Sequence, residues 1–128
     1  MAQENNWRNK SLENLEKEEW RAFDSDSRLI CRTKELRKIP LDNFTIEDLR
    51  LMIGQNEGLE YLIPLALEKL NEDVLAEGDF YKGDLLLAVV NSRQDYWDNS
   101  PGQKRELVEL IEMNKELIDK EGLEIIIE

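Results

Sequence analysis

Apolar residues in this chain recur mostly at three- and four-residue spacing, which predicts helices joined by polar turns. Ser11 offers an N-cap for a short helix over residues 12–20, where Leu12, Leu15 and Glu16 follow the helical repeat. Asp24, Ser25, Asp26 and Ser27 form a turn or cap cluster before a helix over 28–38. There Leu29, Ile30, Thr33 and Leu36 make one face, basic residues make the other, and Pro40 ends the run. The strongest local signal is Phe44 to Leu49. Thr45 can accept from the Asp48 N–H while the Asp48 carboxylate reaches back toward Thr45, a capping box in its Asp form, with Phe44 and Leu49 as the hydrophobic staple. Leu49, Met52 and Ile53 supply the buried stripe of that helix, and Gly58 offers a left-handed residue to end it.

Residues 59–71 resume the helical pattern through Leu59, Leu62, Ile63, Ala66, Leu67 and Leu70, covering much of the circumference, as in a central core helix. Pro64 leaves two readings open, a kinked helix or one whose regular part begins near the proline. EGDFYKGD at 77–84 reads as an ordered loop. The apolar run 85–90 fits strand or helix by pattern and is read as helix because its surroundings are helical. Asn99, Ser100, Pro101 and Gly102 break the chain before a last long amphipathic helix at about 103–120, striped by Leu107, Leu110, Ile111, Leu117 and Ile118. Gly122 ends it, and 123–128 is an apolar tail that extends or docks on the core. The fold class expected is all-α, a compact bundle of about five to seven helices with room for a short extended C-terminal tail. Residues 1–10, polar apart from Trp7, read as a loosely held arm, and 11–128 as a single helical domain.

Composition narrows the function. The 128 residues, 41% hydrophobic and 36% charged, are enough for one core without disulfides or metal. The net charge of −12 with no histidine hardly changes across physiological pH, and it repels nucleic acid and anionic membrane while favouring a basic partner. The field is uneven: residues 1–64 carry 13 acids against 10 bases, and residues 65–128 carry 16 against 7. The N-terminus has no apolar leader segment, and no apolar run approaches the roughly 20 residues needed to span a bilayer, so the expected location is the cytoplasm. The strong net charge also favours a monomer.

Without histidine, Ser/His, Cys/His and histidine-zinc arrangements are ruled out, and the lone Cys31 allows no internal disulfide and reads as a small buried hydrophobe. No phosphate-binding glycine loop, dinucleotide fingerprint or EF-hand loop occurs, and no cofactor is expected. One catalytic option survives, a carboxylate pair drawn from Glu77, Asp79 and Asp84. Tyr96 and Trp97, flanked by Asp95 and Asp98, fit either core aromatics with a polar end or an interface for a basic partner, in which rings supply area and carboxylates supply steering. Phe80 and Tyr81 admit the same two readings.

With TIEDLRLMIGQNEGLEYLIPLALEKL (45–70) and AEGDFYKGDLLLAVV (76–90) in view, the sequence resembles the immunity proteins of bacterial contact-dependent growth inhibition (CDI) systems. The specificity of the resemblance rests on 49–66 and 77–86. It implies a cytoplasmic protein that binds and neutralises the C-terminal toxin domain of a large secreted effector. Such toxins are often nucleases, tRNA-cleaving ones in particular, whose basic surfaces an acidic inhibitor can occupy. Some act together with a host enzyme of cysteine synthesis, which could then share the complex. On this reading the toxin-binding residues are Glu72, Asp73, Glu77, Asp79 and Asp84 for electrostatics and Tyr81, Tyr96 and Trp97 as anchors, with Asp95 and Asp98 beside them. The alternatives are an acidic adaptor for another basic protein and a carboxylate-dependent hydrolase.

Overall fold

The computed structural model describes residues 5–125. Among them lie eight α-helices, two 3-10 helices and no strand, so the all-α expectation holds. The chain falls into two compact units, residues 1–44 and 45–128.

The N-terminal unit begins with a 3-10 helix, Asn5–Asn9, followed by α1 (Leu12–Glu16), α2 (Arg28–Leu36) and a second 3-10 helix, Leu41–Asn43. The Ser11 cap forms, its Oγ accepting from the Asn14 N–H at 3.2 Å, and within the 24–27 cluster it is Ser27 that caps the next helix, its Oγ accepting from the Ile30 N–H at 3.1 Å. Helix α1 stops four residues short of expectation because Lys17 turns left-handed (φ 56°). The next stretch is instead held by Arg37. Its fully buried guanidinium donates to Glu16 Oε1 (2.6 Å) and the Glu18 carbonyl (3.0 Å) and lies 4.4 Å from the Trp20 ring centroid. Only Thr33 and Leu36 of the expected α2 stripe are buried, and Leu29 is half exposed. Cys31 is exposed, which corrects its reading as a buried hydrophobe; it sits on the basic face opposite Thr33 and Leu36.

The second unit holds α3 (Ile46–Gly54), α4 (Leu59–Glu72), α5 (Asp84–Val90), α6 (Gln94–Asp98), α7 (Pro101–Met113) and α8 (Lys115–Glu121). The capping box forms, with Asp48 N–H to Thr45 Oγ1 at 3.1 Å and Thr45 N–H to Asp48 Oδ2 at 3.0 Å. Gly58 is left-handed (φ 63°) as expected, but it sits at the N-cap of α4, after Asn56 (φ 60°) has already turned the chain out of α3. Helix α4 runs unbroken from Leu59 through Pro64, so the late-start reading fails. It buries Leu59, Leu62, Ile63, Leu65, Ala66, Leu67 and Leu70, and packs on α3, α5 and α7. The ambiguous run at 85–90 is helical and lies mainly against α3, burying Leu85, Leu86 and Val89.

The last long helix is in fact two. Asn114 (φ −115°, ψ 20°) interrupts it, its side-chain amide donating to the Leu110 carbonyl at 2.8 Å in competition with the backbone ladder. The offset rotates the stripe: Leu107, Leu110 and Ile118 are buried while Leu117 is half exposed. Gly122 closes α8 in the left-handed conformation expected (φ 80°). Leu123 then lies over Gly83, so the start of the apolar tail docks; residues 126–128 of that tail, and 1–4 of the arm, lie outside the described residues.

Candidate functional site

The most unusual local structure lies between α4 and α5. At α4's end Glu72 and Asp73 are exposed, and Asp73 uses one carboxylate oxygen to accept the Leu75 N–H at 3.0 Å. Glu77 and Lys82 then face each other in an isolated antiparallel bridge that closes a tight loop. Inside it, four successive backbone N–H groups donate to just two side chains. Gly78 donates to Asp84 Oδ1 at 2.7 Å, Asp79 to Glu47 Oε1 at 2.8 Å, Phe80 to Asp84 Oδ2 at 3.1 Å, and Tyr81 to the same oxygen at 3.4 Å. No helix or sheet ladder could satisfy these donors in so sharp a turn, so the carboxylates replace it.

Arg50 ties the two carboxylates together. Its guanidinium grips Glu47 at both oxygens (2.7 and 2.5 Å) and stands 4.0 Å from Asp84. The Arg50 hydrogen bond, aided by the Asp79 N–H, holds the Glu47 carboxyl below the ordinary glutamate value against the opposing effect of burial, and Arg50 is raised in turn by Glu47. Asp84 sits at the first turn of α5, 3% exposed. The frame admits no side chain at position 78. A Cβ on Gly78 would meet Glu47 Oε1 at 2.5 Å and the Glu47 backbone at 3.2 Å.

The frame carries two aromatic rings outward. Phe80 is 66% exposed, its ring centroid 4.3 Å from the Arg50 guanidinium carbon, and Tyr81 is 47% exposed. Glu77 and Asp79 are exposed on the same loop.

The second acid-flanked aromatic pair is arranged otherwise. Trp97 is 5% exposed; its indole N–H donates to Ser92 Oγ at 3.0 Å, and Ser92 Oγ–H donates on to the Val89 carbonyl at 2.6 Å. Tyr96 meets Trp97 edge to face at 5.2 Å and donates its hydroxyl to Gln103. Burial pushes the Tyr96 phenol above its ordinary value, with hydrogen bonds to Ser100 and Gln103 working the other way. Asp95 and Asp98 are exposed, but Asp95 accepts both arms of Arg93 (3.1 and 2.6 Å) and Asp98 accepts from Gln94 at 3.0 Å. Two open grooves flank α6, one lined by Asn56, Glu60 and Tyr96, the other by Trp97, Asp98 and Arg105.

The structure thus gathers Glu77, Asp79 and Tyr81 on one exposed loop, turns Asp84 inward as part of the loop's frame, and leaves Asp95, Tyr96, Trp97 and Asp98 on a separate helix whose rings face largely inward. Among the described residues, no cluster of three or more His, Cys, Asp or Glu side chains is placed to hold a metal ion.

The chain matches the family of CDI immunity proteins over residues 14–107. The chain belongs to that family. Neither the curated proteins nor the solved structures yield a match. As a CDI immunity protein the chain serves protection against a CDI toxin, and its partner is the cognate toxin domain. No helix among the described residues is long and apolar enough to cross a membrane.

For a CDI immunity protein, whose work is recognition, the sequence signals missed are Glu47 and Arg50. They sit 30 residues upstream of the loop, and at helical spacing they read as an ordinary surface ion pair. The one cue was EGDFYKGD itself: two glycines and an acid at its end are what a turn needs to fold its amides onto a carboxylate.

Proposed function

We propose that this immunity protein is a stoichiometric inhibitor, without turnover, of a nuclease toxin domain, with tRNA cleavage the favoured activity, and that it acts in the cytoplasm of the producing cell. The loop 77–84 is the central contact, Tyr81 and Phe80 filling a hydrophobic seat on the toxin while Glu77 and Asp79, with Glu72 and Asp73 nearby in sequence, meet its phosphate-binding cations. Asp95 and Asp98 add outer charge, and Tyr96 and Trp97 support the helix that bears them. One observation carries the reading: a pair of exposed aromatic rings held on a fixed loop among acids, in the half of the chain that bears 16 acids against 7 bases. Exposed rings on an ordered loop are a common anchor of protein interfaces, and an acidic rim speeds encounter with a basic surface. Of the two pairs the catalytic reading offers, Glu77 with Asp79 and Glu77 with Asp84, the second has its Asp84 carboxylate already occupied by three loop amides. A toxin that recruits a host cysteine-synthesis enzyme would bring it as a third component without changing this contact.

The test is isothermal titration against the toxin domain encoded beside this chain, at low and moderate salt, with a nuclease assay on the mixture. Tight 1:1 binding that weakens with salt and silences tRNA cleavage is the expected result. Binding that leaves the nuclease active, or a toxin with no nuclease activity, overturns the proposal.

A further inference from the structure

The contact loop has a feature that a mere exposed turn lacks: beyond the Glu77–Lys82 bridge at its neck, every amide of its tip ends on a side chain outside that tip. The four N–H groups at 78–81 end on Glu47 and Asp84, side chains rooted in α3 and α5, and those two helices are packed together. Arg50, also on α3, bridges the two carboxylates and carries the Phe80 ring on its guanidinium. Were the tip held by the side chains of 78–81, changing its recognition face would change its shape; here the amides of 78–81 are bound by Glu47 and Asp84, and Phe80 alone of the tip side chains rests on the frame, against Arg50.

We infer that Glu47, Arg50 and Asp84 are positioning residues for toxin recognition, which touch no part of the toxin and act by keeping loop 77–84 in its binding conformation before the toxin arrives. The inference rests on the loop being the contact, as proposed above. A loop that is competent only a fraction of the time binds with its affinity reduced by that fraction. With rapid loop motion the reduction falls on the association rate, since only competent loops capture the toxin, while the complex once formed has lost no contact and dissociates at the original rate. Replacing an anchor ring has the opposite signature: the contact is gone and the loss falls on dissociation.

The experiment measures association and dissociation rates of the full chain with its toxin domain for Glu47→Gln, Arg50→Gln, Gly78→Ala, Phe80→Ala and Tyr81→Ala, with thermal melting of each and amide exchange at 78–81. Arg50→Gln is decisive because it makes the protein more acidic. Steering by charge alone predicts faster association with a basic toxin. Loosening of the frame predicts association slowed about 10- to 50-fold, matching a competent fraction of roughly 2–10%, with dissociation within twofold and faster amide exchange at 78–81. Glu47→Gln, which keeps an acceptor for the Asp79 N–H but loses the charge pairing, gives a smaller slowing in the same direction. Gly78→Ala, which adds a Cβ against Glu47 without altering charge, reproduces the Arg50→Gln pattern. Unchanged or faster association for Arg50→Gln in a folded protein, with Phe80→Ala still accelerating dissociation, overturns the positioning role and leaves the loop as the contact. If Phe80→Ala and Tyr81→Ala change neither rate, the contact reading itself fails.

Discussion

Two stretches of this chain carry nearly the same signature, paired aromatics bracketed by acids, and the fold uses them in opposite ways. At 79–84 the rings of Phe80 and Tyr81 stand in solvent while Asp84 is buried; at 95–98 the Trp97 ring is buried while Asp95 and Asp98 stand in solvent. The difference lies in the flanking backbone. Gly78 and Gly83 let the first stretch fold into a loop whose amides close on a carboxylate, which forces the carboxylate in and the side chains out. The second stretch has no such glycines and takes a helical turn, which can bury only one side and selects the larger apolar ring. An aromatic among acids is therefore left in solvent here only where the backbone is bound by something other than its own helix.

The comparison breaks most visibly at Trp97. Trp97→Ala should destabilise the protein by about 3–5 kcal/mol, by emptying a core site and stranding Ser92, read from denaturant unfolding, while the folded fraction keeps its affinity for toxin. Phe80→Ala should do the reverse. Its cost in stability stays near the 0.5–1 kcal/mol of an exposed cation–π contact, while the loss in binding free energy is about 2 kcal/mol or more, as for an interface anchor. If the two residues exchange these outcomes, the assignment of the contact to the loop is wrong. Next in size, Ser92→Ala should cost about 1–2 kcal/mol in stability, because it strands the buried indole N–H, and leave binding unchanged. Smallest, Asp98→Asn removes one rim charge and should change binding by less than about 0.5 kcal/mol, most of it in the association rate at low salt.

Acid sharpens the same contrast. A carboxyl held below its ordinary value stabilises the fold fully above the unfolded glutamate value, about 4.3, and that stability is lost as pH falls through the lower folded value. Glu47 is such a group, so the Asp79 amide resonance should hold constant as pH falls to the ordinary glutamate value and change only below it, as Glu47 protonates and releases Asp79 and Arg50. With no histidine in the chain, a loop transition centred between pH 6 and 7 would show that some other group sets its shape.

Much of this architecture was legible in the residues. Ser11, the cluster at 24–27 and the Thr45/Asp48 box marked three helix starts, because capping is a local affair between neighbours in sequence. Helix ends were read less well: Lys17 turns left-handed against the usual preference of its side chain, Asn56, a residue that tolerates that conformation, turns the chain out of α3 ahead of Gly58, and Asn114 splits what periodicity joined. The placement of the candidate residues was legible only in part. The sequence reading placed Glu77, Asp79, Tyr81 and Asp84 together; the fold exposes the first three and buries Asp84, since nothing in an acid's identity tells whether it faces solvent or backbone. Glu47 and Arg50 could not be found by reading along the chain, because their role exists only once α3 lies against α5.

One consequence of the loop's bonding concerns how such a protein diversifies. The donors at 79–81 are backbone N–H groups, which every amino acid but proline possesses, and the acceptors lie outside the varied stretch. Mutation can therefore rewrite the surface of 79–82 almost freely, each new lettering printed on the same fixed type, while Gly78 and proline-free spelling are the standing rules of the press. With the loop as the toxin contact proposed above, such an inhibitor can change what it recognises without renegotiating how it folds.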